Sequence, residues 1–402
     1  MKICILTHTM PRFKQDTNSA SFISELAQGL AHLGHDVIVL TPFDPLFKNY
    51  KRPYKVITYK YIWPIFLHKS GYSRVLKGDK KIKPEMYILS TLMSLSALVH
   101  LIKVIRKYKI DIVSSHWVVP NGFIAYLASI ITKAPYTITI PGSDVFLASK
   151  NIVFKYVARF AALNASWVIS DSRHYIDQLN HLNILPKHTS VIRYGVDTNF
   201  LKPKNKDTKL LSELSINKLD SIVLAMGRFV EKKGFIYLIE SMPKILRVNS
   251  KIKLVLIGDG ELKKDFERKI KELKIEDHVV FTGAVAYSRR AKYYNLSDIF
   301  VMPSTKDSMG NIDASPVAMM DAMACGVPVV ATKYSGSEDL IINGKTGWMV
   351  GENSSEQIAK ATINLLKIRN KKQMRSQVRK IAVSNFSIQA TSRKYEEIFK
   401  NK

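Results

Sequence analysis

The stretch Lys2-Ile-Cys-Ile-Leu-Thr7 is a short, nearly continuous apolar run, and it decides the fold together with the segment that follows it. Residues 21–33 place apolar side chains at helical spacing, and Gly34 ends that helix. A second apolar run, Asp36-Val-Ile-Val-Leu40, follows at once. A strand, an amphipathic helix, a glycine and a second apolar strand in this order predict a βαβ unit with a parallel sheet.

The same order of elements begins again near residue 220. Residues 222–226 are predicted as a strand, 235–246 as a helix, and 254–257 as a strand that ends in Gly258-Asp259-Gly260. Further strands are predicted at residues 110–114, 136–140, 167–170, 190–192, 279–281, 299–302 and 329–331. Two successive βα series predict an α/β protein with two doubly wound Rossmann-like domains, and the polar residues 202–207 are the predicted linker.

Length and composition fit this division. A chain of 402 residues is long enough for two domains of about 150–200 residues each. Its two cysteines, Cys4 and Cys325, are too few and too far apart for a disulfide framework, which favours a reducing cytoplasm. The first apolar run stops at Thr7 and is too short for the core of a secretory signal. We therefore expect a cytoplasmic protein.

The formal net charge of +28 predicts an anionic partner. Nucleic acid, an acidic membrane face and phosphorylated small molecules are the candidate classes, and no signature of a nucleic-acid-binding module accompanies the charge. We expect no nucleic acid partner and a peripheral contact with an anionic membrane, with a solvated basic surface as the alternative. Two basic clusters support that contact: Lys77, Lys80, Lys81 and Lys83, and Lys103, Arg106, Lys107 and Lys109.

Residues 86–102 carry no formally charged side chain and lie between Lys83 and Lys103. The segment is at the short edge of what a bilayer span requires, and its serines and His100 lower its hydrophobicity. We predict a buried core helix here, with an interfacial helix as the first alternative and a membrane span as the second.

Ligands of doubly wound sheets bind beyond the carboxyl ends of the strands. The predicted strand at 222–226 is followed by Gly227-Arg228, and Lys233-Gly234 lies near the start of the next helix. Two cations beside the N–H groups of a helix start suit a diphosphate, and an ordinary basic surface loop is the alternative.

A second loop follows the predicted strand at 299–302. It contains Gly310, Asn311 and Asp313, and Pro316 opens a helix in which Asp321 stands among apolar residues. A carboxylate in such a helix needs a partner. Asp321 could accept two ribose hydroxyls or form a buried salt bridge.

These motifs resemble family 4 glycosyltransferases. The family opens its donor-binding domain with a Gly-Arg…Lys-Gly loop, which Gly227-Arg228 and Lys233-Gly234 match. It then carries two glutamates eight positions apart, at the places of Asp313 and Asp321, followed by a tail that residues 322–330 match.

The first half of the chain is also similar to this family, so the resemblance covers nearly the whole sequence. The matching segments are residues 26–37, Ser115-His116-Trp117 with Pro120-Asn-Gly122, Gly142-Ser143-Asp144-Val145, and Tyr194-Gly195-Val196-Asp197.

The resemblance implies the GT-B fold, with two Rossmann-like domains facing a central cleft. The N-terminal, acceptor-binding domain would span residues 1–200 and the nucleotide-sugar-binding domain 201–384. Residues 385–402 would hold a helix, roughly 388–399, that packs back on the N-terminal domain.

The resemblance also implies a function: a retaining transfer of a sugar from a UDP- or GDP-sugar to a glycan or lipid-linked acceptor in surface polysaccharide synthesis. Arg228, Lys233 and Asp313 would be catalytic, the two cations on the diphosphate and Asp313 at the donor sugar. Asp321 would bind the ribose. Gly227 and backbone N–H groups near Gly310, Asn311 and Ile312 would complete the donor site, and no metal or other cofactor is required.

On the acceptor side, the resemblance points to Asn18, His116 and Asp144. The sequence departs from the family at several places: Asp313 and Asp321 replace glutamates, Asp339 replaces a third, and Pro141 replaces a frequent histidine. Thr17-Asn18-Ser19 stands in place of a Gly-Gly loop. The alternative function is therefore a catalytically degenerate donor-binding subunit of a glycosyltransferase complex.

Overall fold

A computed structural model of the chain describes residues 1–14, 16, 19–71, 76–77, 81–82, 85–313, 317–338 and 340–402. The chain forms two compact units: unit 1 comprises Met1–Gly195 and Ile388–Lys402, and unit 2 comprises Val196–Ser387. The predicted boundaries after residues 200 and 384 thus lie at 195 and 387. The reason is local, because the Val196 N–H donates to the Phe386 carbonyl at 2.8 Å and keeps both segments in unit 2.

Unit 1 is built on a seven-stranded parallel sheet. Its strands, with the short antiparallel pair β4 and β5, are β1 (Lys2–Leu6), β2 (Asp36–Pro42), β3 (Lys55–Tyr59), β4 (Leu76–Lys77), β5 (Lys81–Ile82), β6 (Ile112–His116), β7 (Tyr136–Ile140), β8 (Trp167–Ser170) and β9 (Thr189–Val191). The order in the sheet is β3-β2-β1-β6-β7-β8-β9, which reverses between β1 and β6. Cys4 and the other central strand residues are buried, which explains the continuous apolar runs of the sequence.

Six helices connect these strands: α1 (Ser21–His32), α2 (Glu85–Tyr108), α3 (Phe123–Thr132), α4 (Ser143–Lys150), α5 (Ile152–Asn164) and α6 (Arg173–His181). The helix α3 packs between α2 and α5. Because crossovers between parallel strands are right-handed, the strand order puts these three helices on one face of the sheet and α1 on the other.

Unit 2 repeats the doubly wound pattern with six parallel strands: β10 (Ser221–Met226), β11 (Ile252–Ile257), β12 (Val279–Gly283), β13 (Ile299–Met302), β14 (Val329–Thr332) and β15 (Gly347–Val350). Their order is β12-β11-β10-β13-β14-β15, which reverses between β10 and β13. The helices are α7 (Thr208–Glu213), α8 (Phe235–Val248), α9 (Lys263–Glu272), α10 (Tyr287–Leu296), α11 (Val317–Ala324), α12 (Ser355–Leu366) and α13 (Lys371–Phe386).

The last helix, α14 (Ile388–Lys400), belongs to unit 1 and packs against α1. Its Tyr395 and Phe399 are buried in the core of unit 1, and the Tyr395 hydroxyl lies 3.2 Å from the Thr139 hydroxyl on β7. The two helices approach closely because α1 has no side chain at Gly29. A Cβ at that position would lie 2.0 Å from the Ser392 Oγ.

The helix α2 is longer than predicted, and it is a core helix on one side only. Met93, Ala97 and Leu101 are buried, whereas Leu95 and Val99 on the opposite side are exposed. Within the described parts of the chain, residues 88–108 are the one helix long and apolar enough to cross a membrane by length and composition. Only 28% of its most apolar 18-residue stretch is buried. The prediction of a buried helix therefore holds for the inner side of α2 and is wrong for the outer side.

Candidate functional site

The sheet of unit 2 reverses its strand order between β10 and β13, so the loops after these two strands leave the sheet side by side. The Gly227 N–H donates to the Ile257 carbonyl at 2.9 Å, which holds the loop after β10 against the end of β11. Gly258 follows β11 with a φ of +142°, and a Cβ there would lie 1.9 Å from the Gly227 carbonyl oxygen. The two loops can approach this closely because Gly258 has no side chain.

A second glycine joins the loop after β10 to the end of β13. Gly234 begins α8 in the left-handed conformation, with a φ of +63°. A Cβ at this residue would lie 2.0 Å from the Pro303 carbonyl oxygen. Gly234 therefore allows the start of α8 to lie against the end of β13. Lys233 immediately precedes Gly234, and Asp313 lies in the loop that follows β13.

The structure brings together two of the predicted donor-site residues across 80 positions of sequence. The Lys233 Nζ lies 2.5 Å from the Asp313 Oδ2, and the two side chains are 17% and 14% exposed. Gly227 makes room for the lysine, since a Cβ at that glycine would lie 3.1 Å from the Lys233 Cε. Arg228 is exposed in the same loop. An anion that binds at Lys233 has to share the ammonium group with Asp313.

In the loop between β13 and α11, backbone N–H groups that we expected to face the donor form hydrogen bonds within the loop instead. The N–H of Gly310 donates to the Asp307 carbonyl at 2.8 Å, and the N–H of Asn311 donates to the Asp307 Oδ1 at 2.8 Å. Asp307 thus closes a turn on its own loop, a common role of aspartate. Two of the three N–H groups that we expected to face the donor are occupied inside the loop, and the side chain of Ile312 is buried.

Asp321 lies on α11 and is only 3% exposed. Burial raises the pKa of its carboxyl group to about 7, and the Arg290 charge and a hydrogen bond with Tyr294 oppose this shift less strongly. Among the described residues, its Oδ2 has no hydrogen-bond partner. A carboxyl group that is partly protonated at neutral pH does not require a buried cation, so the structure favours neither a tight salt bridge nor a fully ionised group.

Six residues that the sequence singled out lie outside the described residues. They are Thr17, Asn18, Lys80, Lys83, Pro316 and Asp339.

The strand order of unit 1 reverses between β1 and β6, and two histidines lie at this point. His8 follows β1, and His116 ends β6 with no exposed surface. Burial lowers the pKa of His116 to about 3, with a smaller contribution from the charge of His8, and burial lowers the pKa of His8 to about 4. Asn121 lies between them: its Nδ2 donates to the His116 carbonyl at 2.7 Å and is 3.1 Å from the His8 Nδ1.

Asp144 comes from the neighbouring strand end, in the first turn of α4 after Gly142. Its Oδ2 accepts a hydrogen bond from the Val118 N–H at 2.5 Å, which joins the loop after β7 to the loop after β6. Burial raises the pKa of Asp144 to about 6, against the lowering effect of that hydrogen bond. The structure therefore places His116 at the end of β6 and Asp144 in the first turn of the helix that follows the neighbouring strand β7, and both residues are buried.

Sequence reasoning did not select His8 as a site residue. The signal was present, because His8 stands two residues after the first predicted strand, where the polar side chains of a ligand edge are expected. In the described part of the chain, no group of three or more His, Cys, Asp or Glu side chains is arranged to hold a metal ion.

Two family profiles match the chain. Residues 206–382 match the family described as "Glycosyl transferases group 1", and residues 19–200 match "Glycosyltransferase Family 4". Together the two segments span most of the sequence.

Similar proteins are known by function in several bacteria. The chain is 24% identical to N-acetyl-alpha-D-glucosaminyl L-malate synthase of Bacillus anthracis, over 94% of this chain and 92% of that protein. It is 26% identical to the alpha-monoglucosyldiacylglycerol synthase of Streptococcus pneumoniae, over 82% of this chain and 71% of that protein.

Solved structures of the same fold include Anabaena Alr3699/HepE in complex with UDP, with a TM-score of 0.73, 19% identity and full coverage of both chains. The sucrose-phosphate synthase of Thermosynechococcus elongatus superimposes with a TM-score of 0.72 and 17% identity, over 100% of this chain and 98% of that chain.

Proposed function

The chain belongs to the family 4 glycosyltransferases and has the GT-B fold, and on that premise we propose that it transfers a sugar from a nucleotide-diphosphate sugar to a glycan or lipid-linked acceptor. Its relatives act in the synthesis of polysaccharides and glycolipids. The finer proposal is a transfer that retains the anomeric configuration, in the synthesis of a surface polysaccharide.

The observation that carries the proposal is the pairing of Lys233 with Asp313 at the reversal point of the unit 2 sheet, with Arg228 exposed in the same loop. When the bond between the donor sugar and the diphosphate breaks, its electron pair remains on the diphosphate oxygen. Cations fixed at that oxygen stabilise the charge as it develops. The acceptor hydroxyl forms the new bond to the sugar and passes its proton to the departing diphosphate.

We assign the two cations different parts of this task. The Asp313 carboxylate holds the Lys233 ammonium group in place, and the missing side chain of Gly227 leaves room for the lysine chain. Lys233 therefore offers a preorganised ammonium group. Arg228 is exposed and can adapt to a bound diphosphate with its several N–H donors. The Asp313 carboxylate is then close enough to the Lys233 ammonium to lie beside the sugar that the diphosphate carries.

Asp321 is proposed as the ribose ligand, as its position in the motif implies. Its Oδ2 has no partner among the residues described, and a buried carboxyl group without a full complement of hydrogen bonds gains from accepting ribose hydroxyls. Access for the ribose would require movement on the α10 or α11 side, since Asp321 is buried.

The donor is proposed to be a UDP- or GDP-sugar. Relatives and neighbours support both nucleotides: HepE structures contain UDP or UDP-glucose, and a Mycolicibacterium smegmatis relative is named as a GDP-mannose-dependent mannosyltransferase. We propose that no metal or other cofactor is needed, because the two cations of the loop can carry the phosphate charge. EDTA should then leave the transfer rate unchanged.

The acceptor is proposed to be lipid-linked or otherwise membrane-held, and the protein to work in the cytoplasm as a peripheral protein on the inner membrane face. A net charge of +28 supports contact with anionic lipid, and the named Streptococcus pneumoniae relative makes a glycolipid. We expect no nucleic acid partner.

A second candidate is a degenerate subunit that binds the donor without turning it over. The aspartates at 313 and 321 and Pro141, each at a position where the family usually has another residue, favour it. Slow hydrolysis of the bound donor by the purified protein distinguishes the two, because a degenerate subunit binds the nucleotide-sugar but releases no free nucleotide diphosphate.

A panel of nucleotide-sugars tests the proposal. Thermal-shift screening first identifies the donor that stabilises the protein most, and transfer to lipid-linked acceptors is then measured with that donor. Stabilisation by none of the UDP- or GDP-sugars would overturn the proposed donor class. Stabilisation without hydrolysis or transfer would favour the degenerate subunit.

A further inference from the structure

The outward side of α2 is apolar for three turns. Ile88, Leu92, Leu95 and Val99 follow one another at spacings of three and four residues, and all four are exposed. The opposite side, around Ala97, is buried against the sheet. A helix on the surface of a soluble protein usually turns polar residues to water on this side.

The helix α5 has the same unusual arrangement. Val153, Tyr156, Phe160 and Ile152 form an exposed stripe, while small residues such as Ala158 lie on the buried side. The exposed stripe contains two aromatic rings, which carry much more apolar surface than the alanines beneath them.

The helix α3 packs between α2 and α5 and presents Ile130 and Ile131 at its exposed end. The three outward sides therefore belong to one surface of unit 1, which we call the α2–α3–α5 face. Large exposed apolar patches on soluble proteins mark sites of interaction with proteins or membranes.

Two exposed aromatic residues stand beside this face. Trp63 is 77% exposed and Phe66 is exposed as well. The segment that carries them is joined to α2, because the Ser96 hydroxyl donates to the Lys60 carbonyl at 2.7 Å. Tryptophan is enriched where one end of the ring meets lipid and the other meets water.

The charge around the face has one sign. Residues 86–170 contain eight lysines and arginines but only two acidic residues, Asp111 and Asp144, and Asp144 is buried. Five of the cations lie at or near the apolar stripes and are at least partly exposed: Lys103, Arg106, Lys133, Lys155 and Arg159. Such cations attract an anionic surface and repel an identical copy of the face.

We propose that the α2–α3–α5 face docks on an anionic lipid bilayer, with its apolar side chains at the acyl boundary and its cations at the headgroups. The proposal rests on the membrane-held acceptor proposed above and names the surface that reaches it. The buried inner side of α2 is part of the core of unit 1, so the protein lies on the bilayer and does not cross it. A second copy or an acidic protein would be an alternative occupant.

The test uses the full-length protein and vesicles of phosphatidylcholine, alone or with a third of phosphatidylglycerol. The face variant is Leu95→Glu combined with Phe160→Glu. The matched control is Leu219→Glu combined with Val248→Glu, since these residues are exposed apolar side chains of unit 2. Thermal unfolding of both variants verifies that they are folded.

We expect the native protein and the control to bind the anionic vesicles, with part of the binding resistant to 1 M salt. We expect the face variant to bind at least tenfold more weakly and to lose the salt-resistant fraction first. Equal binding of the face variant and the control would overturn the proposal. So would a native protein that binds neither kind of vesicle, or a native dimer that the face variant converts to a monomer.

Titration of the same proteins with a nucleotide-sugar separates this proposal from the proposed function. The face variant should bind the donor as the native protein does, since none of its changes lies in unit 2. Vesicle binding without any donor binding would refute the proposed function and leave the docking face supported. Donor binding without vesicle binding would refute the docking face and leave the proposed function supported.

Discussion

The two sheets have the same kind of reversal point, but the polar groups there differ in character. In unit 2, Lys233 and Asp313 form an ion pair near the surface, and an exposed arginine lies in the same loop. In unit 1, the groups are His8, His116 and the carboxyl group of Asp144, and burial shifts the pKa of each toward its neutral form.

This difference shows that topology selects the position of a site and that burial selects its chemistry. A charged, partly solvated edge suits a diphosphate, which brings two or more negative charges. A buried edge of neutral donors and acceptors suits the uncharged hydroxyl groups of a sugar. Four predictions test this contrast.

The largest expected effect concerns the pH dependence of unit 2. The pKa of Asp321 is raised from 3.8 to about 7, so the folded state binds a proton that the unfolded state releases. The stabilising contribution of the neutral Asp321 carboxyl group is therefore complete below about pH 4 and is lost as the pH rises through 7. At about 1.4 kcal/mol per pKa unit, the whole loss is at most about 4.5 kcal/mol, of which about 3 kcal/mol falls between pH 5 and 7. Asp321→Asn should remove most of that part, measured by urea unfolding between pH 5 and 8.

The same variant also tests the ribose role. Asp321→Asn should weaken binding of the donor while it stabilises the free protein at pH 8. An unchanged donor affinity would contradict the ribose role, and an unchanged pH dependence would contradict the desolvated carboxyl group.

The next effect concerns the close approach of loops in unit 2. Gly234→Ala adds a Cβ 2.0 Å from the Pro303 carbonyl oxygen, so the backbone must move. We expect a loss of about 3 kcal/mol in the free energy of unfolding, with a weaker donor affinity. The matched control is Gly283→Ala, which has a similar φ of +69° but no atom within 4 Å, and it should cost about 1 kcal/mol. Equal losses would mean that backbone strain alone, and not the contact with β13, fixes the loop.

The third effect concerns Arg228 and Lys233 in the loop after β10, the two cations that we propose to bind the donor. Arg228→Ala or Lys233→Ala should weaken binding of a nucleotide diphosphate by about 1.5–3 kcal/mol, the range for a charged hydrogen bond, with little change in stability. Lys232→Ala, one residue away, should have a much smaller effect. Isothermal titration measures all three, and similar losses in all three variants would indicate diffuse attraction without a built site.

The smallest effect concerns His116 in unit 1, which we expect not to titrate between pH 8 and 5. Burial lowers the pKa of His116 to about 3, so its ring should remain neutral down to pH 5. The pH dependence of stability that His116 causes is opposite in sign to that of Asp321. This histidine contributes stability above about pH 6.5, and that contribution is lost as the pH falls. The Cε1–H resonance of His116 should not shift between pH 8 and 5, whereas the histidines of the urea-unfolded chain should titrate near 6.5. A midpoint near 6.5 in the folded protein would remove the contrast between the two edges.

The sequence predicted the strands well because buried parallel strands are continuous apolar runs. The predicted segments 136–140, 167–170 and 299–302 coincide with β7, β8 and β13. The edge strands β3 and β15 were not predicted, since their residues are less apolar and only partly buried.

Sequence reasoning selected residues of the candidate site one by one but did not indicate their arrangement. The motif indicated Lys233 and Asp313 separately, and nothing in the local sequence indicated that their side chains meet. Their pairing depends on Gly227 and Gly234, whose role is to let distant backbone segments approach. The exposed stripe of α2 was expected only under the alternative of an interfacial helix, because an apolar helix has the same periodicity whether one of its sides or both are covered.

The position of α14 has a consequence for the order in which the protein is made. Unit 1 contains the first half of the chain, yet Tyr395 and Phe399 in its core are encoded after all of unit 2. At about 5–20 residues per second, synthesis of the roughly 190 residues between them takes about 10–40 seconds. Throughout that interval the surface of α1 around Gly29 stays uncovered on the emerging chain. We therefore expect a nascent unit 1 to keep this part of its core open to solvent until its final helix leaves the ribosome.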